Sequence, residues 1–443
     1  MASEPVISVG ILEGRDAVKL VLEGRFTGPD GAELPAGRYL IEAMGTQVRC
    51  HGPREFCAHS IELNPVGDDP GARFALTAAV GHQFHWAEEE QQRFRGALRL
   101  AGGDGGVTVI NDIRLEDYLT SVVCSEMAAD CPLELIKAHS VISRSWLLAQ
   151  RARSSIDSRD TQGARSPNAE GLRWYDQAAH TVFDVCAEDH CQRYHGVDRA
   201  RAPQVFDAIA ATRGQVLTFE DAICDTRYSK CCGGLTEDAR TAWGDVEVPY
   251  LVSFFDGKES TLSPGPVADK ASFQRFLESP PPAYCRCDDA DVLDSILPER
   301  DRRTTPQFFR WQERLTQRQV RELVRDKLGQ DPGPIEDLAP LARGPSGRLW
   351  KMRIVGRDRA LVIGKELEIR RVLSPTHLLS SAFLVERVGE GRFPEAFVLH
   401  GAGWGHGVGL CQIGAAVMAV EGHDYRQILA HYYPGTGITQ TYD

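Results

Sequence analysis

A chain of 443 residues can bury a sizeable core and points to two or three domains rather than one. Hydrophobic residues make up 42% and charged residues 25%, a composition that excludes a disordered or fibrous chain. With 62 acidic against 50 basic residues the net charge is -12, which would repel a phosphate backbone, so nucleic acid is not an expected partner.

Residues 1–110 alternate apolar and polar positions in VISVGIL, VKLVLEG, RYLIEAM, GALRLAG and VTVIN, with turn signals such as GPDGAELPAG between them, which predicts a β-rich domain. From Leu115 the spacing changes to that of two helices, EDYLTSVVCSEM and PLELIKAHSVISRSWLLAQRAR, with Asp130 and Pro132 at the start of the second. RARAP at 199–203, SPGPVAD at 263–269 and PPP at 280–282 read as connectors. TQRQVRELVRDKLG predicts an amphipathic helix stopped by DPGP. RLWKMRIVG, ALVIGKELEIRRVL and EAFVLHG predict strands with one short helix. The expected architecture is α+β: a β-rich N-terminal domain (1–110), the first part of a core carrying the helical Ser125-Glu126-Met127 segment (111–254), an insertion with the amphipathic helix (255–335), and C-terminal strands with a glycine-rich loop (336–443).

No apolar run reaches the roughly 18 residues of a membrane span. MASEPVISVGILEG has neither a basic n-region nor an apolar h-region, so no signal peptide is expected in it. The cysteines point the other way. Cys50/Cys57, Cys124/Cys131, Cys224/Cys231, Cys186/Cys191 and Cys285/Cys287 are close pairs, and short disulfide loops would suit an oxidising compartment.

Four stretches offer chemistry. Glu126 follows the apolar run SVVC at a helix-to-loop boundary, where partial desolvation raises a carboxyl's pKa and lets it act as a general acid; the alternative is a solvated helix-terminal glutamate. In YSKCCGGLTED, Gly233 and Gly234 allow close backbone approach to a ligand, and Cys231 or Cys232 is a nucleophile or metal ligand, or simply a small buried apolar group. DVCAEDHCQRYHG gathers Cys186, His190, Cys191 and His195, residue types that suit zinc at a spacing that is not a finger's. In GAGWGHGVGLCQIGA every second residue from Gly401 to Gly409 is glycine, yet neither GxGxxG nor GK[ST] is present, which argues against a nucleotide loop. A Cys-His pair of His406 and Cys411 lacks a third group to orient the imidazole. The glycines let backbone lie close to a ligand, with Trp404 offering a flat face and His406 and Gln412 within reach of hydroxyls; a turn around a packed Trp404 is the alternative.

Together, LEDYLTSVVCSEMAADCPLELIKAHSVISRSW, YSKCCGGLTED with the later Trp243 and VPYL, and GWGHGVGLCQIGA with ILAHYYPGTGI resemble, in that order, the signatures of the stage II sporulation protein D (SpoIID/LytB) family, over about 95–439. The resemblance implies a lytic transglycosylase of peptidoglycan, preferring glycan strands without stem peptides and working outside the cytoplasm. Such an enzyme needs one carboxyl and no cofactor, because the sugar's own 6-hydroxyl completes the reaction. On motif matching Glu126 is the acid/base, Lys137 and Arg144 orient it or hold substrate, and Tyr228, Ser229, Gly233, Gly234, Thr236, Trp404, His406 and Gln412 line the glycan site. Glu116 and Asp117 serve the helix start. Some relatives are described as enhancers of a cell-wall amidase, which makes a non-catalytic glycan-binding module the alternative and such an amidase its partner. Three positions depart from the family pattern: Ser229 for His, Cys411 for Ser and Ile413 for Tyr. If family members hold zinc through that His, then Cys232, Cys191 and His190 are the residues that would rebuild the site.

Overall fold

The computed structural model describes residues 3–156 and 180–443, apart from positions 68, 70, 81–87, 104, 129, 200–201, 245–246 and 306; the connector expected at 199–203 therefore lies partly outside the described residues. The fold is α+β. Its N-terminal half is built on two sheets, antiparallel except where Val185–Cys186 joins the first in parallel. One runs Val185–Cys186, Val6–Arg15, Gly106–Arg114, Ala97–Gly103, Ser60–Pro65, Phe26–Thr27, Glu33–Leu34 in spatial order; the other runs Glu88–Phe94, Arg73–Val80, Ala17–Glu23, Gly37–Met44, Gln47–His51, Phe56–Ala58. The alternation read from sequence is the alternation seen: Ile7, Val9, Leu20, Leu22, Ile41, Leu98, Leu100, Val107 and Val109 all point inward.

The boundary expected at residue 110 falls inside a strand. The strand Gly106–Arg114 runs through it, pairing with Val6–Arg15 on one side and Ala97–Gly103 on the other, and one hydrophobic core continues from Ile7 to Tyr442. The physical reason is the helix that follows. Helix α1 (Leu115–Glu126) starts with no intervening loop, carries acidic Glu116 and Asp117 in its first turn, and buries Leu115, Tyr118, Leu119, Val122 and Val123 against the same core. Glu126 is four residues on from Val122 and three from Val123, so the apolar stripe that seats α1 also turns its last side chain inward.

Helix α2 (Leu133–Ile156) begins just after Pro132, as expected, and crosses the centre of the molecule. It is buried on nearly every side from Leu135 to Leu147. Its serines tolerate this because their hydroxyls donate to carbonyls one turn back: Ser140 to Ile136 at 2.8 Å and Ser145 to Val141 at 2.7 Å. Arg144, expected near substrate, is fully buried in the middle of this helix. It makes a bidentate ion pair with Glu116 (3.0 and 2.7 Å) and donates to the carbonyl of Gln215 at 2.9 Å. Glu116 also accepts from the Gly214 amide and the Tyr442 hydroxyl, so this pair ties α1, α2 and the chain's C-terminus together. Lys137 turns away too, pairing with Glu134 at 2.6 Å beside the Tyr425 ring.

The region expected as an insertion at 255–335 is woven into the core. Its strand Arg310–Thr316 pairs with Ala396–Ala402, which pairs in turn with Phe383–Val388. The amphipathic helix Gln317–Leu328 has a Thr316/Gln319 capping box and a left-handed Gly329 at its end, the local signals that fix where it starts and stops. It buries Val320 and Val324 in a smaller second core with the hairpins of Ile335–Arg343, Leu349–Gly356 and Ala360–Ile363.

Removing one member of a buried ion pair leaves an uncompensated charge. Arg144→Met is therefore expected to cost about 3–5 kcal/mol in chemical denaturation, and Glu116→Gln with Arg144→Met distinctly less than the single change.

Candidate functional site

The Glu126 carboxylate sits at the C-terminal end of α1, 9% exposed. Both of its side-chain hydrogen bonds fall on Oε1: the Tyr228 hydroxyl donates at 3.1 Å and the Arg193 amide at 3.2 Å, while Oε2 receives none among the described residues. α1 has no basic residue in its last turn, and its carbonyl end is served instead by Lys230, whose Nζ donates to the Glu126 carbonyl at 2.7 Å. The surroundings are less apolar than the preceding valines suggest. The guanidinium of Arg193 bonds Asp189 at 2.6 Å and lies 3.8 Å from Asp301, and Lys230 lies 3.5 Å from the same Asp301 carboxylate. Burial alone would lower the pKa of Arg193, but Asp189, Glu126 and Asp301 outweigh it and hold the guanidinium charged.

Tyr228 is held from behind. The His139 ring packs edge-on against it at 4.6 Å, and His139 is bonded by Ser143 on Nδ1 and by Gln412 on Nε2, both at 3.1 Å. Burial, reinforced by Lys230, pushes His139 down to about 3, so its ring is neutral. Gln412 thus bears on Tyr228 through His139. Arg193, Lys230, His139 and Asp301 were missed in the sequence; His139 and Lys230 sit inside the motif segments, whereas Asp301 is hidden in the mixed-charge run ERDRR.

The glycine stretch runs beside this site. Tyr228–Ser229 pairs in parallel with Leu410–Cys411, Cys231 bridges Trp404, and Glu237 bridges Val408. Gly403, Gly405, Gly407 and Gly409 all have positive φ, and a Cβ at Gly407 would lie 2.4 Å from the Arg348 guanidinium carbon. His406 is partly buried, accepts the Val408 amide on Nδ1 at 3.1 Å and stands edge-on to Trp243; desolvation, with Arg227 next in effect, pushes its pKa well below the ordinary value. Its contacts are those of a residue that shapes the loop. Cys411 bonds backbone groups of Cys232, Gly414 and Lys230, not His406, so the Cys-His pair does not form. Thr236 is spent on the carbonyls of Val252 and Phe254, Ser229 and Trp404 are buried, and Gly233 and Gly234 adopt positive φ against Gly403 and Phe276.

The proposed metal trio also divides. His190 and Cys191 join His180 and Cys186, whose ligand atoms lie within 4.8 Å of one another, whereas Cys232 belongs to a second group with Asp256, Cys285 and Cys411. The physical reason is topological: Val185–Cys186 docks in parallel on Val6–Arg15 at the N-terminal sheet, while Cys232 follows the strand paired with the glycine stretch. His195 stays outside both groups, its amide donating to Ser125. All twelve cysteines are free thiols, so none of the close pairs forms a disulfide loop.

The helix-terminal glutamate, held between a tyrosine hydroxyl and a backbone amide and flanked by a glycine-rich loop, lies in a stretch that resembles known proteins. Residues 103–219 match the model of the Stage II sporulation protein family, SpoIID, and residues 237–409 match a domain of unknown function (DUF8618). Residues 103–219 thus carry a domain similar to the SpoIID family. It is 25% identical over 332 residues to Stage II sporulation protein D of Bacillus amyloliquefaciens, covering 75% of this chain and 76% of that one. It is 24% identical over 335 residues to the protein of the same name in Bacillus subtilis, with 75% and 76% covered. The amidase enhancer of Bacillus subtilis is 24% identical over 333 residues, 72% of this chain but only 40% of the enhancer.

Two measurements probe this frame. Gly407→Ala should lower stability by more than about 1 kcal/mol, because strain and a clash coincide there, whereas Gly391→Ala, also at positive φ but in open space, should cost less. Burial pushes the buried Glu237 up to about 7 from 4.5, against hydrogen bonds from Ser346 and the charge of Arg348. The folded state then holds this proton more tightly than the unfolded one, so stability falls as pH rises between those values; Glu237→Gln should flatten that part of the curve.

Proposed function

We propose that the chain cleaves peptidoglycan glycan strands as a lytic transglycosylase, with Glu126 as its single acid/base. The observation that carries this reading is the asymmetric hold on Glu126: Tyr228 and the Arg193 amide fix Oε1, and Oε2 is left to meet a glycosidic oxygen. Glu126 gives its proton to that oxygen as the bond to the anomeric carbon breaks. The sugar's own 6-hydroxyl then attacks the anomeric carbon, its proton returns to Glu126, and the product is a 1,6-anhydro end. No second carboxylate is needed, unlike in hydrolytic glycosidases. Tyr228, backed by His139 and Gln412, keeps the carboxylate in one rotamer, while Lys230 and Arg193 supply fixed positive charge beside it. The glycine stretch lets a long polymer approach the backbone.

We also propose a zinc site at His180, Cys186, His190 and Cys191, a two-His, two-Cys set that suits tetrahedral zinc and takes no part in that reaction. When bound, zinc would cross-link the segment that leads to Arg193. A hydrogen bond from Cys191 pulls the Cys186 thiol down despite burial, and His180 and His190 act in the same direction.

A second reading, a glycan-binding enhancer of a cell-wall amidase, is favoured by the similarity to the amidase enhancer. Incubating denuded glycan strands with the chain and reading the ends by mass spectrometry separates the two. Turnover to 1,6-anhydro ends, lowered about 10²- to 10⁴-fold in Glu126→Gln of intact fold, supports the enzyme. Tyr228→Phe should lower turnover about tenfold. Stoichiometric binding without product, with amidase activity rising on mixing, would establish the enhancer instead.

A further inference from the structure

The second sulfur cluster has no part in the reaction above. Cys232, Asp256, Cys285 and Cys411 place four ligand atoms within 4.8 Å of one another, all fully buried. Cys232 Sγ lies 3.5 Å from Cys285 Sγ and 3.1 Å from Asp256 Oδ2. Sulfurs bound to one tetrahedral zinc at about 2.3 Å stand roughly 3.8 Å apart, whereas a disulfide needs about 2.05 Å, so the spacing is that of ligands around an ion.

The shell around the cluster points the same way. Backbone amides of Cys232 and Gly414 donate to Cys411 Sγ (3.2 and 3.4 Å), and that of Gly234 donates to Cys232 Sγ at 3.4 Å, the bonds that stabilise thiolates. Cys411 also caps the helix Gln412–Val420, whose N-terminal dipole favours a thiolate. Asp256 turns Oδ2 to the cluster while His431 and Tyr432 donate to Oδ1 at 3.1 and 2.8 Å, as partners of a metal-bound carboxylate do. A Cβ at Gly414 would meet Asp256 Oδ2 at 2.6 Å, so the space beside that oxygen depends on glycine.

We infer that Cys232, Asp256, Cys285 and Cys411 form a second, closed metal site for a borderline-soft divalent cation of the zinc class. Three thiolates select against magnesium and calcium, and the carboxylate against copper(I). With all four protein ligands buried there is no open position, so the ion is structural: it fastens Cys285 of the 255–335 region to the motif segments bearing Cys232 and Cys411. Binding replaces the three thiol protons with the cation and changes no oxidation state.

The test uses the full chain with Cys186→Ser and Cys191→Ser, which removes the first group, reconstituted with zinc or with cobalt(II). About one ion per chain is expected by plasma mass spectrometry, with the absorption of tetrahedral cobalt and thiolate-to-cobalt charge transfer. Adding Cys285→Ser or Cys411→Ser should drop the metal content to about zero or weaken the charge-transfer band by about a third, with circular dichroism confirming the fold. Cys224→Ser, at a buried thiol outside the cluster, should change neither. Failure of the folded parent variant to take up metal, a Cys232–Cys285 disulfide in its non-reduced peptide map, or an unchanged cobalt spectrum after Cys285→Ser would overturn the inference. None of these readouts depends on glycan cleavage.

Discussion

Much of the site's geometry depends on one buried guanidinium. Arg348 has no exposed surface; it donates to the carbonyls of Gly405 at 3.1 Å and Cys232 at 3.2 Å and to the Ser346 hydroxyl at 2.8 Å, and Ser346 passes the contact to Glu237 at 2.6 Å. A buried cation is tolerable only when its donors are met, and here most are met by backbone of the two motif segments. That demand explains the alternating glycines. Side chains at Gly403 or Gly407 would fall on Arg348, at Gly405 on Ser229, and at Gly409 on the Arg227 carbonyl. With the segments locked side by side, Tyr228 is set in register with Leu410, and its hydroxyl reaches Glu126.

Legibility followed interaction range. The 2-residue and 3.6-residue periods placed the N-terminal strands, α1, α2 and the helix Gln317–Leu328, since local patterning decides them. The place of Glu126 at a helix end was legible too, because a helical stripe and a chain reversal are both written within a dozen residues. Arg144 was misread: its neighbours in sequence say nothing of Glu116, which lies 28 positions away, so a core ion pair looked like a ligand for substrate. The same holds for the metal residues. Cys191 and Cys232 are plausible partners by type, yet one follows a strand docked on the N-terminal sheet and the other sits beside the glycine stretch.

The 255–335 region shows why its role could not be read locally. It supplies Asp301, fully buried and within 3.8 Å of Arg193 and 3.5 Å of Lys230, the two cations that flank Glu126. It also supplies Cys285 to the thiol cluster and Arg310–Thr316 to the sheet of Ala396–Ala402. Without Asp301, two buried cations would crowd the end of α1 with only Asp189 and Glu126 to balance them, at a desolvation cost that a carboxylate from elsewhere must offset. A segment that neutralises the site on one side and anchors the glycine stretch on the other is part of the machinery that positions Glu126.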